Sequence, residues 1–272
     1  MMDTLFILKI GGKVIGDEHL LTLALRSFAA QPGLKMLIHG GGKRASELSR
    51  QLGIPVQMVQ GRRITDAATL EVAVMVYAGL ANKNMVARLQ ALGCNAIGLS
   101  GADANTVRAH QRPVGEVDYG FAGDVDAVAA DTLQTLLNGG LTPVFCAITH
   151  NGQGQLLNTN ADTMAMELAT ALAAHYAVHL HFCFEKPGVL FNPDDDTSVI
   201  SVLQPADYQN YKKSGAISDG MIPKLDNAFA ALQRGVRTVR IGDVQAIAGE
   251  GGTLLRAAAE SSPSGGLKDS ED

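Results

Sequence analysis

The sequence predicts an α/β protein whose core is a mostly parallel β-sheet with helices on both faces. Short apolar runs alternate with longer segments in which apolar residues recur at helical spacing. Strand–helix alternation of this kind is typical of parallel sheets, because each helix connects one strand to the next. The chain has 272 residues, of which 46% are hydrophobic, so it can bury a large core as one big domain or as two lobes.

The alternation gives boundaries for each element. The apolar runs that we predict to be buried strands are residues 4–10, 34–38, 94–99, 141–148, 176–183 and 236–241. The segments that we predict to be amphipathic helices are residues 18–30, 43–52, 67–91, 127–138, 160–174 and 220–234. Shorter hairpin-like pieces are expected around residues 54–64, 104–123 and 153–158. The end of the chain, residues 261–272, is polar and rich in Gly and Ser, which predicts a disordered tail.

Composition excludes several classes of function. Charged residues make up 18% of the chain and the formal net charge is -5, whereas a nucleic-acid-binding protein would be expected to carry a basic excess. The sequence has no apolar run near the roughly 20 residues that span a bilayer. It also begins without the pattern of a signal peptide. The 3 cysteines are far apart, which does not suggest a disulfide framework. We therefore expect a cytoplasmic protein that binds neither nucleic acid nor membrane.

Two glycine-rich turns follow predicted strands. The first is Lys9-Ile10-Gly11-Gly12-Lys13, and the second is His39-Gly40-Gly41-Gly42 just before a predicted helix. Glycines let backbone N–H groups approach an anion, and a helix N-terminus favours negative charge. Each turn alone is weak evidence, and neither matches a P-loop or a dinucleotide-binding motif.

Two further motifs lie at predicted helix starts. Asn158-Thr159-Asn160-Ala161-Asp162 precedes one helix, and we interpret Asn160 as its N-cap. In Ser218-Asp219-Gly220-Met221-Ile222-Pro223-Lys224, the proline places the helix start nearby. Lys224 then lies near the positive end of a helix, where a cation is unfavourable unless an anion is close.

Taken in order, K-x-G-G, H-G-G-G, G-x-R-x-T-D at 61–66, N-x-N-A-D and S-D-G-M-x-x-K resemble the acetylglutamate kinases of the amino-acid kinase family. The resemblance runs from about residue 4 to 256. It implies an open eight-stranded, mainly parallel sheet in a three-layer sandwich. It also implies a lobe at 1–174 for the acylated amino acid and dimerisation, and a lobe at 175–260 for ATP.

The resemblance also implies the reaction and its residues. ATP, accompanied by Mg²⁺, would phosphorylate the γ-carboxylate of an N-acylated glutamate in arginine biosynthesis, in a transfer dominated by positioning and charge stabilisation. The implied residues are Lys9, Asp162 and Lys224 for catalysis, Gly11 and Gly12 for phosphate, and Gly41, Gly42, Arg63 and Asn158 for the substrate.

The nucleotide-binding segment departs from the family pattern. Many members have Thr/Ser-Asp-Val-x-Gly after the strand at 176–183, whereas this chain has Phe184-Glu185-Lys186-Pro187-Gly188. Glu185, Lys186, Gly188 and Ser218 are the residues that we expect near the nucleotide. Arg62 also stands where the family usually has an apolar residue, and it is a candidate reader of a succinyl rather than an acetyl group, since some bacteria run this pathway on succinylated intermediates. Because neighbouring strand residues alternate, Arg62 could instead point away from Arg63 into solvent.

Other interpretations of the sequence remain open. Within the same family, the substrate could be glutamate, aminoadipate, carbamate or a nucleotide, and a non-catalytic ligand sensor on the same fold is a further alternative. His179, His181 and Cys183 alternate, so a strand would place all three on one face, as in some metal sites. Ordinary strand packing is favoured, and we predict no metal site there. Family members that are inhibited by arginine carry an additional N-terminal helix. Since the first predicted strand begins near Thr4, we expect a homodimer that is insensitive to arginine.

Overall fold

The computed structural model describes residues 2–59, 61–215, 217 and 221–257. Within them the strands are β1 (Thr4–Ile10), β2 (Leu34–His39), β3 (Met58–Val59), β4 (Arg62–Arg63), β5 (Ala96–Leu99), β6 (Val107–Gln111), β7 (Ala122–Val128), β8 (Thr142–Cys146), β9 (Ile148–His150), β10 (Leu156–Thr159), β11 (Ala177–Cys183), β12 (Val202–Leu203), β13 (Thr238–Gly242) and β14 (Thr253–Leu255). The helices are α1 (Gly12–Ile15), α2 (Glu18–Ala29), α3 (Gly42–Gln51), α4 (Ala67–Val74), α5 (Asn82–Ala91), α6 (Ala130–Asn138), α7 (Ala161–Leu172), α8 (Pro205–Ser214), α9 (Ile222–Gln233) and α10 (Val244–Ile247). A π-helical segment, Met75–Ala81, joins α4 to α5.

The main sheet has eight strands in the order β12-β14-β13-β11-β1-β2-β8-β5. All of its neighbouring strands are parallel except β13 and β14. The prediction of a mainly parallel eight-stranded sheet is therefore confirmed. The first strand of the chain lies in the middle of this sheet, which explains why its sequence is almost continuously apolar.

The two faces of β1 belong to different parts of the core. Leu5 and Ile7 pack in a cluster with buried residues of α7, while Phe6 and Leu8 pack in a second cluster with buried residues of α2. Side chains alternate along a strand, so an apolar residue at every position buries both faces. The polar residues on β1 are Thr4, which is exposed at its start, and Lys9, which is buried.

The predicted hairpin-like pieces form two small structures beside the main sheet. Strands β6, β7, β9 and β10 close into a small barrel, and β3 pairs with β4 as an antiparallel hairpin. A bridge between Thr65 and Gly120 ties the residues that follow the hairpin to the barrel. Arg63 of the hairpin donates to the Gly42 carbonyl oxygen at 2.9 Å, which places the hairpin near the carboxyl end of β2 in the main sheet.

The structure differs from the predicted elements in several places. The sequence pattern did not predict α1, α8, α10, β12 and β14. The segment 67–91, predicted as one helix, contains two α-helices with the π-helical segment between them. The predicted strand 141–148 bends between Cys146 and Ile148, so that β8 lies in the main sheet and β9 in the barrel. Helix α8 was not predicted because its sequence, PADYQNYKKS, has little apolar periodicity, and Tyr208 is its buried residue.

Some predictions concern residues outside the described part of the chain. The tail at 261–272 lies there, and so does the first residue of the helix predicted at 220–234. Among the described residues, no helix combines the length and apolar character that a membrane crossing requires.

Gly120 provides a test of the contact between hairpin and barrel. Its φ is +61°, and a β-carbon built there would lie 2.2 Å from the Thr65 carbonyl oxygen. We expect Gly120→Ala to lower the free energy of unfolding by more than the roughly 1–2 kcal/mol that a left-handed conformation costs an ordinary residue. Gly53→Ala is the matched control, because Gly53 has a φ of +71° but nothing within 4 Å of its β-carbon position. Equal losses for the two variants in urea unfolding would show that the close approach to Thr65 has no energetic consequence.

Candidate active site

The glycine turns meet at the carboxyl edge of the main sheet. Strands β1, β2 and β11 are parallel neighbours, and Ile10 is in register with His39 on one side and Cys183 on the other. The residues that follow each strand therefore emerge together, which is where ligands bind in open α/β sheets. The Gly11 N–H donates to the Cys183 carbonyl oxygen at 2.8 Å, which fixes the first turn to the end of β11.

Asp162 joins the two predicted catalytic lysines. Its Oδ1 lies 2.5 Å from Lys9 Nζ, and its Oδ2 accepts a hydrogen bond of 3.0 Å from Lys224 Nζ. Lys9 comes from β1 and Lys224 from the first turn of α9, while Asp162 lies in the first turn of α7. Asn160 caps α7 as predicted, because its Oδ1 accepts from the N–H groups of Asp162 and Thr163 at 2.8 and 3.0 Å.

The charges of this trio do not cancel. Burial raises the pKa of Asp162, but the ammonium groups of Lys9 and Lys224 lower it by more, so that the pKa is about 2. An ionised carboxylate held by two ammonium groups leaves one positive charge in excess. The Lys9 side chain is 10% exposed and that of Lys224 is 38% exposed, so this charge lies partly shielded from water, where it acts most strongly on a bound anion.

A cavity of about 920 Å³ opens beside the trio. Its lining includes Lys9, Lys224, Gly11, Gly12 and the predicted nucleotide residues Glu185, Lys186 and Gly188. Glu185 pairs with Lys13 at 2.6 Å, and Lys186 pairs with Asp196 at 2.8 Å. The volume is within the range of pockets that hold drug-sized ligands. Ser218, the remaining predicted nucleotide residue, lies outside the described residues.

A smaller cavity of about 170 Å³ lies next to it, on the side of the hairpin. Its lining includes the predicted substrate residues Gly41, Gly42, Arg63 and Asn158, and Met58 and Gly61 border both cavities. Asn158 Nδ2 donates to Thr65 Oγ1 at 3.0 Å. The sequence motifs at 61–66 and 158–162 therefore meet in this cavity.

The buried guanidinium group of Arg63 is held by one of its terminal nitrogens, while the other has no hydrogen-bond partner among the described residues. It is only 8% exposed, and its Nη2 donates to the Gly42 carbonyl oxygen at 2.9 Å and to Ser46 Oγ at 2.7 Å. Its Nη1 is buried without a hydrogen-bond partner among the described residues. An unpaired donor on a buried guanidinium is costly unless a ligand satisfies it, and a carboxylate suits its geometry.

Asp66, in the same motif, has a structural explanation. Its Oδ1 accepts from the Thr69 N–H at 2.8 Å, which caps α4. Hydrogen bonds from Thr69 lower the pKa of the Asp66 carboxyl group, so it is ionised at the positive end of that helix.

Arg62 lies on the opposite face of β4 from Arg63, as strand alternation requires, and it is exposed. It nevertheless lines the same smaller cavity as Arg63. Two residues that sequence reasoning missed also line it, Tyr77 and Arg112. The Tyr77 ring lies so close to Gly41 that a β-carbon built there would be 2.6 Å from it.

The two histidines of β11 that were considered as metal ligands make ordinary hydrogen-bond and packing contacts. His179 Nδ1 lies 2.7 Å from Thr238 Oγ1, and the His181 ring packs edge-on against Phe6. Within the part of the chain that the structure describes, no three His, Cys, Asp or Glu residues are grouped so that they could hold a metal ion.

Comparison with known proteins is consistent with this geometry. Residues 4–243 match the Amino acid kinase family. The chain is 54% identical over 240 residues to an acetylglutamate kinase from Parabacteroides distasonis, which covers 88% of this chain and 94% of that protein. It is 52% identical to an acetylglutamate kinase from Bacteroides fragilis, over 94% of this chain and 98% of that protein. The crystal structure of smu.665 from Streptococcus mutans superposes with a TM-score of 0.75 at 25% identity, covering 93% of this chain and 98% of that one.

The low pKa of Asp162 predicts how stability depends on pH. Because the folded-state pKa is about 2 and the ordinary value is 3.8, the ion pairs contribute fully above about pH 4 and are lost as pH falls toward 2. Asp162→Asn should therefore flatten the loss of unfolding free energy between pH 4 and 2. It should also lower stability at pH 7 by about 3–5 kcal/mol, since Lys9 would keep a buried charge without its partner.

Urea unfolding at a series of pH values measures both effects. Glu47→Gln is the control, since Glu47 forms an exposed pair with Arg44 and should leave the pH dependence unchanged. If Asp162→Asn retains the slope of the wild type below pH 4, then Asp162 is not the group that titrates there.

Proposed function

The chain belongs to the amino acid kinase family, and we propose that it transfers the γ-phosphoryl group of ATP to the γ-carboxylate of N-acetyl-L-glutamate in arginine biosynthesis. The observation that carries the proposal is the Lys9–Asp162–Lys224 trio, which lies beside a cavity lined with nucleotide candidates and close to a second one lined with substrate candidates. The relatives at 54% and 52% identity match this chain over most of their own length, and both are named acetylglutamate kinase.

In this proposal the protein acts mainly through charge and position. A carboxylate is already a nucleophile, so no general base is needed; the difficulty is to bring one anion against another. Lys9 stabilises the transferring phosphoryl group, and Lys224 stabilises the charge that develops on the leaving side. Asp162 orients both ammonium groups, and Gly12 offers a backbone N–H donor to the phosphates. The Gly11 N–H is already used by the Cys183 carbonyl oxygen, so Gly11 contributes by letting the phosphates approach the turn closely.

Mg²⁺ belongs to the substrate as MgATP in this scheme. The carboxylate among the described residues that line the larger cavity is Glu185, which is already paired with Lys13. Mg²⁺ keeps several waters and binds through substrate phosphates with few protein ligands, so this sparse donor set fits it.

The acylated amino acid occupies the smaller cavity. The free Nη1 of Arg63 binds its α-carboxylate, Asn158 holds the acylated amino group or the same carboxylate, and Gly41 and Gly42 offer N–H groups. Residues 1–174 then form the substrate lobe and residues 175–260 the ATP lobe of a cytoplasmic homodimer.

The test traps the acyl phosphate. Purified protein with MgATP and hydroxylamine should form a hydroxamate with N-acylglutamate, and not with glutamate, aminoadipate or carbamate. Lys9→Ala and Lys224→Ala should each lower kcat by about 10²–10³-fold, the effect of losing one charge-stabilising donor. Lys212→Ala is the control, because Lys212 and its ion-pair partner Asp226 both lie outside the two cavities.

Two results would contradict the proposal. Near-normal turnover in a folded Lys9→Ala or Lys224→Ala variant would remove that residue from the mechanism. Binding of N-acylglutamate without any hydroxamate would favour a ligand sensor on the same fold.

A second candidate substrate, N-succinyl-L-glutamate, is favoured by the cations around the smaller cavity. Arg62 and Arg112 line it in addition to Arg63. Arg112 forms an ion pair with Asp124, and the hydrogen bond between them lowers the pKa of Asp124. The positive charge of Arg62 lowers the same pKa further. Arg62 forms no hydrogen bond or ion pair among the described residues, so it is the cation that is free to meet a second carboxylate.

Substituting Arg62 decides between the acyl groups. A charge-assisted hydrogen bond is worth about 1.5–3 kcal/mol, or roughly 10–150-fold in kcat/KM. If the succinyl compound is the substrate, the wild type should prefer N-succinylglutamate over N-acetylglutamate by about that factor, and Arg62→Leu should abolish the preference. Arg50→Leu, an exposed arginine on α3 outside the cavity, is the control. A wild-type preference for acetylglutamate, or an unchanged ratio in Arg62→Leu, would exclude Arg62 as the acyl reader.

A further inference from the structure

His39, the last residue of β2, is completely buried directly before the second glycine turn. Its Nδ1 lies 2.7 Å from the Gly40 carbonyl oxygen. A carbonyl oxygen can only accept, so Nδ1 carries the hydrogen. Burial lowers the pKa of His39 to about 4, although the hydrogen bond to Gly40 acts in the opposite direction and raises it. The ring is therefore neutral at neutral pH. A neutral imidazole that is protonated at Nδ1 must accept at Nε2.

Asn82 supplies the hydrogen bond that Nε2 needs. Its Nδ2 lies 3.1 Å from His39 Nε2 and donates to the Val144 carbonyl oxygen at 2.8 Å, while its Oδ1 accepts from Lys83 Nζ at 3.1 Å. Because a carbonyl oxygen cannot donate, the contact with Val144 identifies the nitrogen of this amide. Both hydrogens of the amide are thus used, and they fix the tautomer of His39.

The contact between Asn82 and His39 depends on the residues that surround the Asn82 side chain. Asn82 begins α5 directly after the π-helical segment and is 1% exposed. A β-carbon built on Gly98 of β5 would lie 2.0 Å from Asn82 Oδ1, so a larger residue at 98 would displace the amide. The same π-helical segment carries Tyr77, which packs on Gly41. The segment therefore contacts the glycine turn through Tyr77, and the residue directly after it contacts His39. Segments of this kind are frequent at functional sites.

The hydrogen bond to Gly40 has a consequence for Gly41. In a planar trans peptide the C=O of one residue and the N–H of the next point in opposite directions. When the Gly40 carbonyl is held against the His39 ring, the Gly41 N–H is directed away from it. Gly41 lines the smaller cavity, and its N–H has no partner among the described residues.

We propose that Asn82 is a positioning residue for phosphoryl transfer, which acts through His39 to hold the Gly40–Gly41 peptide with its N–H toward the reacting anions. The inference rests on the proposed function for the identity of those anions. The alternative is a buried network that contributes only to stability. The two differ in whether loss of Asn82 changes the tautomer of His39 and turnover in a protein that remains folded.

The first measurement needs no activity. In ¹⁵N NMR of the wild type at pH 7, His39 should be neutral and protonated at Nδ1, with His39→Asn identifying its signals. Protonation at Nε2 in the wild type would overturn the proposal whatever the enzyme does. Hydroxamate formation by the wild type separately confirms the kinase activity, so the two ideas can fail independently.

The second measurement is kinetic. Asn82→Leu should lower kcat/KM for the acylated glutamate by about 10–100-fold, the scale of a small misplacement of reacting groups, while KM for ATP changes less than about twofold. Gln90→Leu is the matched control. Gln90 lies on the same helix and donates its amide to the Ala96 carbonyl oxygen at 2.9 Å, away from the glycine turns. Its kcat/KM should stay within about twofold of the wild type, and a folded Asn82→Leu with the same result would overturn the proposal.

A third variant covers the case in which Asn82→Leu does not fold. Asn82→Asp keeps the volume of the side chain, but its carboxylate cannot donate to Nε2. His39 should then gain a proton at Nε2, visible by ¹⁵N NMR, and kcat should fall. A changed protonation of His39 with an unchanged kcat would show that the network serves stability alone.

Discussion

The site depends on one buried carboxylate that joins three distant parts of the chain. Asp162 holds Lys9 from the central strand and Lys224 from the start of α9, so β1, α7 and α9 are fixed to one another at the carboxyl edge of the sheet. Neither Asp162 nor Lys9 would be tolerated alone in such a place, because a buried ion without a partner costs several kcal/mol. The trio is thus a condition of the fold. It also explains why a lysine stands at the positive end of a helix, since an anion lies 3.0 Å from its ammonium group.

The parallel sheet determines what can gather around this carboxylate. Parallel strands end at the same edge, so each strand–helix connection contributes a turn to one surface, and the glycine turns after β1 and β2 become neighbours. The hairpin and the small barrel are the additions that make the surface concave. They bring Arg63 and Asn158 to a cavity next to the one that faces Glu185 and Gly188. Division of the site into two adjoining cavities therefore follows from the topology, not from any single motif.

Much of this could be predicted from the sequence, and what could not has a physical reason. The strand at 4–10 and the helix at 160–174 follow from local apolar patterns and an N-cap, because such features involve residues close together in the chain. The contact between Asp162 and Lys224 spans 62 positions, and its prediction required a resemblance to a known family. Tyr77 and Arg112 were missed for the same reason, since nothing in their local sequence shows that they face a cavity. The π-helical segment was also missed, because its apolar pattern is compatible with an uninterrupted α-helix.

The excess positive charge of the trio has a consequence for the protein without its ligands. Lys9 and Lys224 repel each other across Asp162, and Arg63 has a buried Nη1 without a hydrogen-bond partner among the described residues, so this arrangement of cations carries electrostatic and desolvation energy. An anion that binds the native state and not the unfolded chain releases this energy and shifts the folding equilibrium by mass action. The phosphates and carboxylates of the proposed ligands would in this sense help to stabilise the fold. Under the proposed function, the free energy of unfolding should therefore rise with the concentration of these ligands.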